Sequence, residues 1–311
     1  MIKGCGIIND GIYAENLNLQ QGDRITMLTV TGETKQLGII GCPVEHSFSP
    51  KMHNFISGEL NADYIYSAWC VKKEYLKAAA EAVRALGIAG INVTAPYKKD
   101  IMRYLDNIDA QAKLLGSVNT VVNRDGVLTG YNTDAVGFCQ ALKADGADPA
   151  GKKILVMGAG GVVKPTLMRI IQEKPQKIVI LNRTKEKAAA LSEEIYKAMG
   201  FRAETETKDF DFDIVINTTS AGMAPQTEAL PSDAIEEIEN LDFINSKTVA
   251  VDMIYNPEET RFLAEAKKRG AKTVNGLSML IYQGLIAYEL FTGIKLDDTM
   301  ADKVRKEVFG G

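Results

Sequence analysis

The sequence predicts an α/β fold large enough for two domains, and three features of its 311 residues point there. Strand-like and amphipathic helical segments alternate along the chain, the pattern of layered α/β architecture. Lys153-Ile154-Leu155-Val156-Met157 is a continuous apolar run, as in a parallel strand buried on both faces. A glycine-rich turn, Gly158-Ala159-Gly160-Gly161, follows directly, and after it come a helix, a strand at Lys177–Leu181 and a helix at Lys185–Met199. In that context a glycine turn cradles a dinucleotide, with backbone N–H groups at a helix N-terminus facing the pyrophosphate.

Composition narrows the class. The chain is 46% hydrophobic and 24% charged, as expected of a soluble globular protein. A net charge of −4 argues against general nucleic-acid affinity and leaves room for a local basic pocket. Met1–Gly11 lacks the apolar core of a signal peptide. Leu277–Phe291 is interrupted by Ser278, Gln283 and Glu289 and is short for a bilayer span, so it reads as a buried helix and no membrane contact is expected. Cys5, Cys42, Cys70 and Cys139 show no close spacing. They read as reduced thiols of a cytoplasmic protein, not as a disulfide framework or a zinc site. His46 and His53 have no carboxylate pattern between them, and no metal is expected.

In chain order, Ile25–Thr31 reads as a strand and Thr31-Gly32-Glu33-Thr34 as a turn, with no chemistry assigned before Lys35. Leu37–Gly41 is a buried strand. Ser49 and Pro50 suit the cap and first position of a helix. Ser47 and Ser49 are then either capping groups or donors to an anion, such as a carboxylate, at that helix N-terminus. Asp63–Val71 is the next strand, and Glu74–Leu86 an amphipathic helix stopped by Gly87. Ile91-Asn92-Val93-Thr94 alternates apolar and polar residues and should end near Ala95, because Pro96 has no N–H for a ladder. Asn92, Thr94 and Lys98 therefore gather where the backbone leaves a sheet, the edge at which open α/β folds bind ligands. Asp109–Leu115 is a short helix. Val118–Asn123 and Val127–Tyr131 flank Arg124-Asp125-Gly126, a hairpin signal. A helix runs from Ala135 to about Ala144, so Asp134 is either its cap or a site residue.

Residues 145–151 form a polar linker. In the helix over Val162–Glu173, Val163 stands where a third small residue is usual and should loosen helix–strand packing. Strands follow at Asp213–Asn217 and Thr248–Ile254, then a helix from about Pro257 to Arg269 closed by Gly270, and helices Leu277–Thr292 and Asp298–Phe309. The strand ending at Leu181 leads into Asn182-Arg183-Thr184, with Lys185 and Lys187 beyond. No carboxylate is there to accept from a ribose 2′-hydroxyl, and an arginine fork suits a phosphate, so the expected cofactor is NADP. Thr218-Thr219-Ser220 leaves a strand on the same edge and should border the nicotinamide.

Taken together, these segments resemble the shikimate dehydrogenase family, which includes quinate/shikimate dehydrogenases. The likeness runs from about Gly38 to Gln283. It is carried by Gly41-Cys42-Pro43 with His46-Ser47-Phe48-Ser49-Pro50 and by Asn92-Val93-Thr94-Ala95-Pro96-Tyr97-Lys98. Gly116-Ser117-Val118-Asn119-Thr120, Gly130-Tyr131-Asn132-Thr133-Asp134, Gly158-Ala159-Gly160-Gly161, Asn182-Arg183-Thr184, Asn217-Thr218-Thr219-Ser220 and the Gln283 helix complete it. The sequence departs from the family in its longer start over 1–35, in Ser117 where alanine is common, and in Val162-Val163-Lys164-Pro165 after the glycines.

The resemblance implies an α/β substrate-binding catalytic domain of residues 1–134 plus 271–311, an inserted Rossmann-like NADP domain of 135–270 with a parallel sheet, and a cleft between them. It implies Lys98 and Asp134 as the catalytic pair. Ser47 and Ser49 match ligands of the substrate carboxylate, and Asn92, Thr94, Asn119 and Gln283, with Asp134, match ligands of its hydroxyls. The implied cofactor site comprises Gly158, Ala159, Gly160, Gly161, Asn182, Arg183, Thr184, Lys187, Thr218, Thr219, Ser220, Met253 and Gly276.

The implied reaction is reversible hydride transfer between NADPH and C3 of 3-dehydroshikimate, giving shikimate, in chorismate and aromatic amino acid biosynthesis. Lys98 as an ammonium would stabilise the developing alkoxide and supply its proton. Competing readings are a quinate-preferring enzyme of the same family, a methylenetetrahydrofolate dehydrogenase and a non-catalytic nucleotide sensor. The Ser-Phe-Ser and Asn-Thr-Asp segments fit the folate enzyme poorly, and a sensor needs neither Lys98 nor Asp134. The expected partner is a small-molecule substrate, and the expected state a monomer or homodimer.

Overall fold

Two sets of apolar strands build two sheets in the computed structural model, which describes residues 30–161 and 163–310. Most of the strand expected at Ile25–Thr31 lies outside the described residues, as does Cys5. In the first sheet, β1 (Lys35–Gly41) pairs in parallel with β2 (Tyr64–Cys70) and β3 (Gly90–Val93). Asp125 and Gly126 take φ of 53° and 85°, the left-handed pair that a tight hairpin turn needs. β5 (Thr120–Arg124) and β6 (Val127–Tyr131) therefore fold back as an antiparallel ladder beside β3. A short strand absent from the sequence reading, β4 (Asn107–Ile108), completes the order β2-β1-β3-β5-β6-β4.

The second sheet is parallel throughout: β7 (Lys153–Met157), β8 (Lys177–Leu181), β9 (Ile214–Asn217), β10 (Val249–Asp252) and β11 (Lys272–Val274), in the order β11-β10-β9-β7-β8. Outside β8, Glu204 forms a single parallel bridge to Val179. Counted as a vestigial strand, that bridge gives the order 3-2-1-4-5-6 of dinucleotide-binding sheets. The order reverses between β7 and β9, and a ligand crevice opens outside the carboxyl ends of strands at such a point. β11 lies beyond the boundary expected at residue 270, so the second sheet reaches Val274.

The helices cover the sheets and then cross between them. They are α1 (Ser49–Glu59), α2 (Leu76–Ala85), α3 (Ala110–Leu115), α4 (Thr133–Ala144), α5 (Val163–Gln172), α6 (Lys185–Met199), α7 (Arg261–Lys268), α8 (Leu277–Thr292) and α9 (Asp298–Phe309). α8 and α9 return to the first sheet, where Tyr288, Phe291 and Val304 share a core with Leu37, Met52 and Ile56. α4 gives Phe138 and Leu142 to the core of the second sheet while crossing α8. A Cβ at Gly137 would stand 2.5 Å from the backbone nitrogen of Gln283, so only glycine lets these helices approach this closely. Among the described residues, no helix is long and apolar enough to cross a membrane.

Three expectations are corrected by packing. The helix expected from Pro257 begins at Arg261, because Thr260 caps it by accepting from Leu263 N. Val163 does not loosen α5: it is 0% exposed within the core of the second sheet. Cys42 and Cys70, read as free thiols, form a disulfide, and only Cys139 is free among the described residues. The β1–β2 register places Gly41 opposite Cys70, which brings together residues 28 apart in sequence.

Candidate active site

The chemistry-bearing end of β3 is shaped by a short turn. β3 stops at Val93, slightly before the expected end, although Thr94 N still donates to Ile40 O at 3.0 Å. Tyr97 N turns back onto Thr94 O at 3.0 Å, and the Tyr97 hydroxyl donates to Val71 O at 2.6 Å. This anchored turn leaves Lys98 half-buried and Lys99 exposed. Lys98 Nζ lies 2.7 Å from Asp134 Oδ2. Asp134 is free for that pairing because Asn132, not Asp134, caps α4, accepting from Ala135 N at 3.3 Å. Its carboxylate also sits in the first turn of α4, where the helix dipole favours negative charge.

Behind this pair lies a buried polar network. The Tyr66 hydroxyl donates to Asn92 Oδ1 at 2.7 Å, and Asn92 Nδ2 donates to Asn119 O and Thr120 Oγ1 at 3.2 and 3.1 Å. Both amide protons of Asn92 are thus committed, and one lone pair of its oxygen is left for a substrate hydroxyl. Asn119 Nδ2 donates to Thr133 Oγ1, which leaves it a second N–H. Burial pushes the Tyr66 phenol well above its ordinary range, and interaction with Ser49 opposes this. His53 stacks on Tyr66 at 4.2 Å with neither ring nitrogen hydrogen-bonded among the described residues. Burial pushes His53 down to about 3, so the ring is neutral.

The serines sit at the entry to α1. Phe48 is the cap residue of α1 and has no side-chain cap bond, and Ser49 is the first residue inside the helix. Ser47 Oγ accepts from Ser49 N at 3.3 Å, which leaves its proton to donate elsewhere. Among the described residues, Gln283 on α8 bonds locally, through Nε2 to Leu280 O at 2.8 Å.

The opposite wall is the carboxyl edge of the second sheet. β7 ends beside β8 and β9, so the turns after Met157, Leu181 and Asn217 emerge together. Gly158 has φ +117°, and a Cβ there would stand 2.5 Å from Thr218 Oγ1, so the residue has to be glycine. Thr218 Oγ1 donates to Met157 O and Thr219 Oγ1 to Asn217 Oδ1, so both hydroxyls shape the loop. Gly276 N bonds to Ile254 O, beside Met253. The wall fits a dinucleotide: at Gly160 and Gly161 a Cβ would meet nothing within 4 Å, a cradle that a pyrophosphate would fill. Asn182 Nδ2 holds Thr184 O at 2.8 Å, and the adjacent Arg183 and Lys187 are exposed, as a 2′-phosphate requires. Lys185 is instead tied to Glu236 and Glu237.

The two walls face one cleft of about 850 Å³, within the range for small-ligand sites. Ser47, Ser49, Asn92, Thr94, Lys98, Asn119, Asp134 and Gln283 line it from one side, and Thr218, Thr219, Ser220, Met253 and Gly276 from the other. The glycine turn after Gly158, Asn182, Arg183, Thr184 and Lys187 lie on the second sheet outside this lining. Sequence reasoning assigned no site role to Tyr66, His46, Phe48 or Tyr255. Phe48 and Tyr255 meet edge-to-face across the cleft, with centroids 6.3 Å apart. An aromatic residue in a loop carries no periodicity that would mark it.

Comparison with known proteins agrees with this geometry. Residues 39–121 match the shikimate dehydrogenase substrate binding domain, 141–253 the shikimate / quinate 5-dehydrogenase family, and 276–309 the shikimate 5'-dehydrogenase C-terminal domain. The chain is 42% identical over 289 residues to a shikimate dehydrogenase (NADP(+)) of Methanocaldococcus jannaschii, covering 89% of this chain and 100% of the relative. It is 34% identical to shikimate 5-dehydrogenase of Thermus thermophilus, solved in complex with NADP(H) and shikimate, with a TM-score of 0.76 and coverage of 88% of this chain and 99% of that one. A quinate dehydrogenase of Corynebacterium glutamicum, solved with NAD, is 27% identical, with a TM-score of 0.78 over 89% of this chain and 99% of that one. With its two sheets, its paired lysine and aspartate and its matched sequence, the chain belongs to the shikimate dehydrogenase family.

Proposed function

We propose that this chain catalyses the reversible NADPH-dependent reduction of 3-dehydroshikimate to shikimate, with Lys98 and Asp134 as its catalytic pair. The observation that carries this reading is the 2.7 Å ion pair between them, set in the cleft that the Thr218–Ser220 loop closes from the other side. NADPH, held by the Gly158–Gly161 turn with Arg183 and Lys187 near its 2′-phosphate, would supply the hydride, and NADP+ would take it back in the reverse direction. The protein's own residues do the rest. The Lys98 ammonium faces the oxygen on which charge grows, stabilises it and gives it a proton; in the reverse direction the amine takes that proton back. Asp134 holds the ammonium in place. Ser47 and Ser49 donate to the substrate carboxylate, and Asn92, Thr94, Asn119 and Gln283 orient its hydroxyls.

NADP reduction with shikimate, run beside the same assay with quinate, tests the proposal. Turnover with shikimate at a kcat/KM well above that with quinate is expected. No turnover with either substrate, in protein that binds NADP, would leave the nucleotide-sensor reading standing. Preference for quinate is the second reading; it draws on the quinate dehydrogenase likeness, which at 27% identity is weaker than the 42% to the shikimate enzyme. We assign residues 1–134 with 275–311 to the substrate and 135–274 to the cofactor, the boundary moved from 270 by β11. A monomer or homodimer in the cytoplasm completes the proposal, and sedimentation would distinguish the two states.

A further inference from the structure

We propose that Asp252 is a positioning residue that sets the shape of the cofactor wall through Asn217. Asp252 ends β10 and is 0% exposed, yet its partners are all neutral donors. Its carboxylate accepts from Asn217 Nδ2 on both oxygens at 3.1 Å, from Ile254 N at 3.0 Å and from Thr260 Oγ1 at 2.7 Å. A carboxylate can only accept. It therefore forces the Asn217 amide to present Nδ2 toward it and Oδ1 away. Oδ1 then receives Thr219 N at 2.9 Å and Thr219 Oγ1 at 2.7 Å, and the loop from Thr218 to Ala221 takes its course from those bonds. The same carboxylate fixes Ile254 N, between Met253 and Tyr255, and orients the Thr260 hydroxyl that caps α7.

Both loops so held line the cleft opposite Lys98. One buried group thus sets two loops from adjacent strand ends, β9 and β10, against each other. Burying a carboxylate among neutral donors is costly, and burial raises its pKa. A neutral amide in its place would keep one acceptor toward Asn217 Nδ2 and put a donor where the other oxygen accepts from Asn217 Nδ2 and from Ile254 N or Thr260 Oγ1. Asp252 is not among the residues that line the cleft; it acts through Asn217 and Ile254. The inference rests on the reading of this wall as the nicotinamide side of the site.

The test compares Asp252→Asn with the exchange Asn217→Asp/Asp252→Asn, which restores an acceptor facing a donor at this contact and gives up only the long 3.3 Å bond from Asn217 Nδ2 to Ala221 O. NADP affinity is measured by titration calorimetry without substrate, KM for shikimate and kcat by assay, and the melting temperature alongside. In Asp252→Asn the NADP dissociation constant should rise about tenfold, the size of one or two displaced hydrogen bonds, with the shikimate KM changed by less than about twofold. The exchange should bring NADP affinity back to within about threefold of the parent. If Asp252→Asn does not fold, the folded exchange protein decides by the same criterion. Parental affinity in Asp252→Asn overturns the proposal. So does an exchange that recovers the melting temperature and not NADP affinity, or a shikimate KM that rises as much as the NADP constant. A parent that binds NADP without turning over shikimate refutes the assigned reaction and leaves this wall testable by affinity alone.

Discussion

The two walls of the cleft are held by opposite means. On the Lys98 side, polar side chains bind one another across long stretches of chain: Lys98 to Asp134, Tyr66 to Asn92, Asn119 to Thr133. On the cofactor side, side chains such as Thr218 and Asn217 tie backbone turns down at the ends of parallel strands, with Asn217 itself held by Asp252, and Gly160 and Gly161 face open space. The difference follows from the two tasks. A charge that appears only in the transition state needs a donor already in place and already paired. A bound pyrophosphate needs many weak donors on a close backbone, and any side chain there would stand in its way. Substitutions should therefore act on turnover or on the KM for shikimate in the first wall and on cofactor affinity in the second.

The strongest break of that rule would come at Lys98. Lys98→Ala should lower kcat by a factor of roughly 10² to 10⁴, the contribution of a positioned acid–base group, and leave the KM for shikimate little changed. Asp134→Asn should also lose turnover, and the double variant should lose less than the product of the single losses, because the pair acts as a unit. Lys99, exposed on the far side of the same turn, should tolerate alanine. Near-normal turnover in Lys98→Ala, or damage from Lys99→Ala instead, would remove the pair from the mechanism.

Acid should weaken the first wall from behind. His53 supports Tyr66 as a neutral ring, since burial holds its pKa near 3 against an ordinary value of 6.5. On acidification the unfolded chain takes the proton first. The stability contributed by the neutral ring is complete above about pH 6.5 and is lost from there down toward pH 3, at up to about 1.4 kcal/mol per pH unit. By pH 5 the loss is about 2 kcal/mol. His53→Phe keeps the stack and removes the proton site. Urea midpoints at pH 7 and pH 5 should lie closer together in that variant than in the parent, and an equal drop in both would clear His53 of the effect.

On the second wall the expected change is in affinity alone. Arg183→Ala should raise the KM for NADP roughly tenfold, within the range for a hydrogen bond to a charged group, and change the KM for NAD far less. Equal loss with both nucleotides would show that Arg183 does not meet the 2′-phosphate.

The contrast between the walls also explains what could be read in advance. β7, β8, α6, α8 and α9 run to the residues expected, because apolar runs, glycine stops and caps are local signals. The glycine turn and Arg183 belong to that class. The helix entry at Asn132-Thr133-Asp134 does not: all three residue types cap helices, and the choice depends on Lys98 pairing with Asp134 across 36 residues. The start of α7 escaped for a similar reason, since Thr260 is drawn into place by Asp252. The Cys42–Cys70 pairing depends on the register of two parallel strands, which spacing does not reveal. Tyr66 and Tyr255 are aromatic residues among many. Asp252 did leave a trace: a carboxylate closing the apolar run Val249-Ala250-Val251, at the strand end where ligands gather.

The smallest expected effect is also the cleanest contrast between the walls. Ser47 and Ser49 precede or open α1, so a loss on mutation could in principle come from the helix or from the substrate. The structure separates these. Phe48 is the cap residue and makes no side-chain cap bond, and the one serine bond at the helix end is a long one, Ser47 Oγ accepting from Ser49 N at 3.3 Å. Ser47→Ala and Ser49→Ala should then change the melting temperature little and raise the KM for shikimate. Each lost donor is worth about 0.5–1.5 kcal/mol, and up to about 3 where the partner is a full carboxylate charge. The KM for NADP should not move, because the nucleotide is held at the other wall. A fall in melting temperature with an unchanged shikimate KM would return both serines to the helix. A rise in both Michaelis constants together would mean that the walls are not independent.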